Sequence, residues 1–238
     1  CMIDIADPKK DFFSVTQFKD ISYQIIFKLF PQNKLPILVG GTGLYMDAIC
    51  HGYLFPKTSV RLRKELERFK TKELLSELKK NDPKTYKIID KKNRRRILRA
   101  LESYLINKES HSKERKKKPN FDFITLAIDW PREELYKRID LRVDEWMKDG
   151  LINEVRSLHD RGVSYKKLEA FGLEYRNVAY YLQNKISREE MISNMKFETH
   201  AFARRQLTWW RRNKDLIWLE TDKNLKKNAL NIVKKYLN

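Results

Sequence analysis

Cysteine is nearly absent from this 238-residue chain: Cys1 and Cys50 are too few for a disulfide framework. The four histidines, His51, His111, His159 and His200, stand scattered, without the spacing of a structural zinc site. Seven glycines and seven prolines exclude collagen-like or low-complexity character. No run of 18 apolar residues occurs, and the first residues do not read as a secretion signal, so a cytoplasmic protein without a membrane partner is expected. No Ser-His-Asp arrangement, thiol pair or carboxylate cluster stands out, which leaves hydrolytic and metal-centred mechanisms without support.

Positive charge is what the chain has in excess. Lys and Arg number 51 against 32 Asp and Glu, a net charge of +19. Between Arg61 and Lys118 there are 22 basic and 9 acidic residues, so +13 of that charge falls in one segment. Such a patch repels itself unless it is solvated or faces a polyanion, and nucleic acid is the expected partner. With 41% apolar and 12% aromatic residues the chain can still bury a core.

Ser14 with Gln17 reads as a capping box, followed by Val15, Phe18, Ile21, Ile25 and Leu29 at helical spacing up to Pro31. Leu35-Pro36-Ile37-Leu38-Val39 is a continuous apolar run ending in Gly40-Gly41-Thr42-Gly43, the pattern of a buried parallel strand, a glycine turn and a helix. That order predicts a doubly wound α/β core. From residue 53 to 118 charged helical segments take over, ending in a solvated linker, Glu114-Arg115-Lys116-Lys117-Lys118-Pro119. The expected division is a core of residues 1–52 and 119–238 with a helical insertion at 53–118. Strand character returns at Phe123–Ile128. Pro131 then opens a helix bearing Leu135, Ile139, Val143 and Trp146 and closed by Gly150. Ser187 and Glu190 cap a last long helix to about Arg212, before a final strand at Leu216–Leu219. The opening residues, Cys1 then Met2-Ile3-Asp4-Ile5, read as the interior of a structured segment, so the chain is expected to begin in mid-product.

Four constellations bear on function. The glycine turn lets backbone N–H groups and the Thr42 hydroxyl approach an anion or reacting group closely, or else Thr42 merely caps the next helix. In Arg94-Arg95-Arg96-Ile97-Leu98-Arg99, a stripe of Ile97, Leu98, Leu101 and Leu105 leaves Arg95, Arg96 and Arg99 outward, either solvated or gripping phosphate. Arg138 and Arg142 lie four apart, and by spacing alone Arg142 pairs with Glu145. Ala203-Arg204-Arg205-Gln206-Leu207-Thr208-Trp209-Trp210-Arg211-Arg212 interleaves guanidinium groups with indoles, as single-stranded RNA requires, with one tryptophan expected inward.

At this point the residues resemble a family. Leu35–Tyr45 looks like the signature segment of the bacterial-type tRNA dimethylallyltransferases, joined in order by Asp82-Pro83, Arg95-Arg96-Ile97, Arg99-Ala100-Leu101-Glu102, Leu135-Tyr136, Arg142-Val143-Asp144 and Arg205-Gln206 with Thr208-Trp209. The resemblance implies a P-loop NTPase-like parallel-sheet core with an inserted helical domain, and transfer of a dimethylallyl group from dimethylallyl diphosphate to the adenosine amine beside a tRNA anticodon, with Mg²⁺ as cofactor. It implies that Thr42 holds the amine and that Gly40, Gly41 and Arg142 serve the diphosphate. It also places Arg95, Arg96, Arg99, Gly172, Tyr175, Arg176, Arg204, Arg205, Gln206, Trp209 and Arg211 on the tRNA anticodon arm. The family's phosphate loop and general-base aspartate are expected before Cys1, Gly172-Leu173-Glu174-Tyr175 departs from the family's Gly-Tyr, and His200 stands at a usual arginine position. A monomer is expected. The competing readings are a non-catalytic RNA-binding module of the same fold and a small-metabolite kinase, against which the arginine-tryptophan helix argues.

Overall fold

The computed structural model describes residues 2–10, 13–111, 117, 119 and 121–237. The linker expected at Glu114–Pro119 lies outside them apart from Lys117 and Pro119. The chain forms two compact units, Cys1–Met46 with Phe121–Asn238, and Asp47–Asn120.

In the first unit, Ser14 accepts from the Gln17 N–H while the Gln17 side chain bonds back to the Ser14 N–H, and this reciprocal cap starts helix α1 (Val15–Leu29). A 3₁₀ turn at Phe30–Gln32 follows, as Pro31 requires. Helix α2 (Gly43–Cys50) begins at the glycine turn. The apolar run before it departs from expectation. Leu35–Val39 joins no sheet among the described residues, and Ile37 and Val39 are 79% and 89% exposed. A parallel strand needs a neighbour to satisfy its backbone groups, and the described strands β1 (Thr125–Asp129) and β2 (Leu216–Glu220) pair with each other. Met2–Ile5 likewise takes no regular element, and Ile3 is exposed.

Strands β1 and β2 are parallel, in register from Thr125 opposite Leu216 to Asp129 opposite Glu220. Between them in sequence run α7 (Arg132–Lys148), α8 (Leu151–Asp160), α9 (Tyr165–Phe171), α10 (Leu173–Leu182) and α11 (Arg188–Trp210). Pro131 is the residue before α7 rather than its first, and Gly150, at φ 94°, takes the left-handed turn between α7 and α8 that other residues resist. The core of this unit gathers Val143, Val155, Val163, Leu168, Val178, Ala179, Met191 and Met195 from these helices. A helix not anticipated, α12 (Leu225–Leu237), follows β2 and packs on it.

The second unit holds α3 (Val60–Leu66), α4 (Thr71–Asn81), α5 (Pro83–Ile88) and α6 (Arg94–Asn107), around Leu66, Leu74, Leu78, Ile97, Leu98, Ala100 and Leu101. Two buried carboxylates tie it together. Asp82 caps α5 and accepts from the Thr85 hydroxyl and N–H, the Ser110 hydroxyl and the His111 N–H. Glu102, wholly buried, receives Arg63 at 3.1 Å, Arg99 at 2.8 Å and the Ser59 N–H at 2.9 Å. Burial alone would raise both pKa values, but these donors outweigh it and hold each below its ordinary value, 3.8 for Asp82 and 4.5 for Glu102. A carboxylate depressed by folding stabilises the fold above its unfolded pKa, and that contribution is lost as pH falls through the folded one. Acid unfolding of this unit should therefore set in below about pH 4. Glu102→Ala should lower unfolding free energy in urea by about 3 kcal/mol, the low end for breaking a buried ion pair, because the stranded arginines are partly solvated. It should also weaken the acid transition, and an unchanged urea midpoint would refute this account.

Candidate functional site

The site is built where the glycine turn meets the last turns of α11. Gly43 is buried, and a Cβ on it would lie 2.2 Å from Trp209 Cδ1 and 2.3 Å from its Nε1. A Cβ on Gly41 would lie 2.4 Å from Gln206 Nε2, and the Trp210 indole N–H donates to the Gly41 carbonyl at 3.4 Å. The turn is glycine-rich because three side chains of α11, Gln206, Trp209 and Trp210, press on its backbone. Gly40 has nothing within 4 Å of the corresponding position and is exposed. Behind the turn, Tyr45 of α2 packs on Phe18 of α1, ring centroids 4.9 Å apart.

Thr42 sits at the head of this junction. Its carbonyl starts α2 by accepting from the N–H groups of Tyr45 and Met46, at 3.0 and 3.2 Å. Its side chain is exposed, and its hydroxyl has no partner among the described residues. The side chain therefore does not cap the helix and is available to a substrate.

Arg142 is exposed on α7 and lies over Trp146, 5.2 Å from the ring centroid. It forms no ion pair with Glu145, so the pairing suggested by spacing gives way to a cation–π contact that leaves the guanidinium edge open. Arg138 does the same over Trp130, at 4.2 Å.

The remaining basic candidates divide by partner. In the second unit Arg95 and Arg96 are exposed and without a partner among the described residues, whereas Arg99 is held by Glu102. Arg94 is structural, donating to the Thr71 hydroxyl and to the Glu67 and Phe69 carbonyls, where it satisfies chain ends beyond α3. In the first unit Gly172 stands before α10 with extended backbone, φ 164°. Tyr175 donates to Glu154, and burial with that bond pushes its pKa up. Arg176 pairs with Glu198 at 2.8 Å, and Asn177 donates to the same oxygen. On α11, Arg204 reaches the Tyr136 hydroxyl at 2.8 Å, Arg205 lies over Phe202, and Arg211 is exposed at the helix end.

Gln206 and Trp209 are turned to the glycine turn, and so is Trp210, so both indoles face inward where one had been expected to. Sequence reasoning missed Trp210 as a contact of the turn, Glu102 as an anchor of arginines, and Tyr136 with Arg132. Tyr136 stands one helical turn beyond Arg132, a spacing that could have flagged the pair. Among the described residues no three His, Cys, Asp or Glu side chains gather to hold a metal ion. They form no cage for the Mg²⁺ that the resemblance implies.

The model of the IPP transferase family matches residues 1–213. The tRNA dimethylallyltransferase of Halothermothrix orenii is 36% identical over 98% of this chain and 74% of its own length. The crystal structure of the full-length tRNA isopentenylpyrophosphate transferase of Bacillus halodurans superposes with a TM-score of 0.67 at 31% identity, covering 98% of this chain and 77% of that one. A eukaryotic dimethylallyltransferase captured acting on tRNA shares the fold at a TM-score of 0.80 and 22% identity, over 98% of this chain and 64% of its own. The glycine turn, the arginine-tryptophan helix and the arginine run all fall inside the matched residues, and the chain belongs to the IPP transferase family, that of the tRNA dimethylallyltransferases.

Proposed function

We propose that this protein is a tRNA dimethylallyltransferase, moving the dimethylallyl group of dimethylallyl diphosphate to the exocyclic amine of the adenosine beside a tRNA anticodon. The observation that carries the reading is the unpartnered Thr42 hydroxyl held at a turn that α11 clamps with Gln206, Trp209 and Trp210. In the reaction the amine nitrogen bonds to the allylic carbon as its bond to the diphosphate oxygen breaks. Diphosphate leaves with the electron pair, and the one proton the amine gives up passes to the departing diphosphate or to water. Thr42 accepts a hydrogen bond from the amine and fixes its approach. Arg142, with its guanidinium edge open, and the backbone N–H groups around Gly40 and Gly41 meet the charge growing on the diphosphate. The parallel pair within an α/β order supports a P-loop NTPase-like core.

The tRNA anticodon arm is assigned to Arg95, Arg96 and Arg99 of the second unit, the helical tRNA-binding insertion. Gly172, Tyr175, Arg176, Arg204, Arg205, Gln206, Trp209 and Arg211 of the first share that role. Exposure and lack of carboxylate partners among the described residues support Arg95, Arg96 and Arg211 most directly. Label from dimethylallyl diphosphate should enter a tRNA that carries adenosine at that position. Binding of such a tRNA without incorporation would replace the enzyme with an RNA-binding module. Arg95→Ala with Arg96→Ala should flatten the plot of log affinity against log salt by about 0.7–0.9 per arginine, one counterion-releasing contact each. A slope equal to the wild type would remove these two from the tRNA face.

A further inference from the structure

On α7 and α11, which pack against each other, two guanidinium groups converge on one hydroxyl. Arg204 Nη1 donates to Tyr136 Oη at 2.8 Å, and Arg132 Nε, one turn earlier on the tyrosine's own helix, donates at 3.3 Å. The Tyr136 ring is stacked on His200, centroids 4.0 Å apart and planes 5° apart, and His200 Nε2 lies 2.9 Å from Asp140 Oδ1. Ring and hydroxyl are thereby held while both arginines stay exposed, with no carboxylate of their own among the described residues. Two cations brought to one neutral oxygen repel each other, and a single anionic oxygen placed there would relieve both. The tyrosine registers that field: the hydrogen bond from Arg204 first, and Arg132 after it, lower its pKa.

We propose that Arg132, Tyr136 and Arg204 form a phosphodiester subsite that grips the backbone of the substrate tRNA. The inference rests on the transferase reading and adds Arg132 and Tyr136 to its RNA contacts. A non-bridging phosphate oxygen takes a charge-assisted bond from each arginine and the O–H of Tyr136. The site lies open on two exposed side chains, as a polymer backbone passing over the surface requires. His200 is a positioning residue, acting through the stacked ring.

The test uses steady-state transfer and direct tRNA binding across a salt series. Arg132→Ala and Arg204→Ala should each raise the KM for tRNA by about tenfold, the value of a hydrogen bond to a charged group. Each should also flatten the salt slope by about 0.7–0.9. Tyr136→Phe keeps the ring on His200 and should raise the KM for tRNA with the slope nearly intact. Arg132→Lys, which retains the charge, should keep the wild-type slope. An unchanged slope in both alanine variants overturns the subsite, as does an effect on the KM for dimethylallyl diphosphate instead of tRNA. Wild-type protein that binds tRNA but transfers nothing would strike the transferase reading, and the binding slopes would still decide the subsite.

Discussion

Replacing Thr42 with alanine is expected to slow dimethylallyl transfer by about two to three powers of ten, the usual loss when one oriented hydrogen-bonding group is removed from a reacting centre. Affinity for tRNA should stay nearly unchanged. The expectation follows from what the side chain does not do in the protein alone. Its hydroxyl is exposed and bonded to none of the described residues, while the start of α2 depends on the Thr42 carbonyl, which alanine retains. The fold therefore loses little, and the whole effect falls on the reaction. Thr42→Ser keeps the hydroxyl and should recover most of the rate. Single-turnover transfer of label, with tRNA binding measured in parallel, separates the outcomes. Transfer by Thr42→Ala within about threefold of wild type, less than 1 kcal/mol of barrier, would take Thr42 out of the reacting centre.

Much of this site was legible because its parts are local. The capping boxes at Ser14 and Ser187, the apolar stripe of α6 and the two strands that pair are short-range patterns, and the structure has each of them. What was illegible depended on partners far along the chain. Leu35–Val39 reads as a buried strand from composition, yet burial of a strand is a property of its neighbours, and none of the described strands lies beside it. The glycines of the turn suggested phosphate approach, but two of them, Gly41 and Gly43, are also required by Gln206 and Trp209, more than 160 residues later. Arginines show the same limit. Arginines in a helix or run look alike in sequence, while packing turns Arg94 into a brace, pairs Arg99 and Arg176 with Glu102 and Glu198, and leaves Arg95 and Arg96 exposed without a partner among the described residues.

The steric lock between turn and helix supplies the other large expectation, because local propensity and packing predict opposite signs for Gly43→Ala. At a helical position alanine should stabilise by about 1 kcal/mol over glycine. Here the new Cβ would stand 2.2 to 2.5 Å from Cδ1, Nε1 and Cγ of Trp209, atoms of a rigid ring that has no end to swing aside. The indole or the backbone must move, and overpacking of that kind costs about 1–3 kcal/mol, enough to reverse the propensity gain. The displacement also passes to Thr42, the neighbouring residue, so transfer should fall by about a hundredfold, as a misplacement near 1 Å does. Gly41→Ala meets mainly the amide end of Gln206, which can rotate away, so its stability should change by under about 1 kcal/mol. Gly40→Ala meets nothing and should be neutral or slightly stabilising. Adding Trp209→Leu to Gly43→Ala should restore stability beyond the sum of the single changes, the mark of two residues in contact. Thermal melts of the three alanine variants order the predictions, with Gly43→Ala lowest. If Gly43→Ala melted at or above wild type, the turn would not be locked by Trp209, and the rigid mounting argued for Thr42 would fall with it.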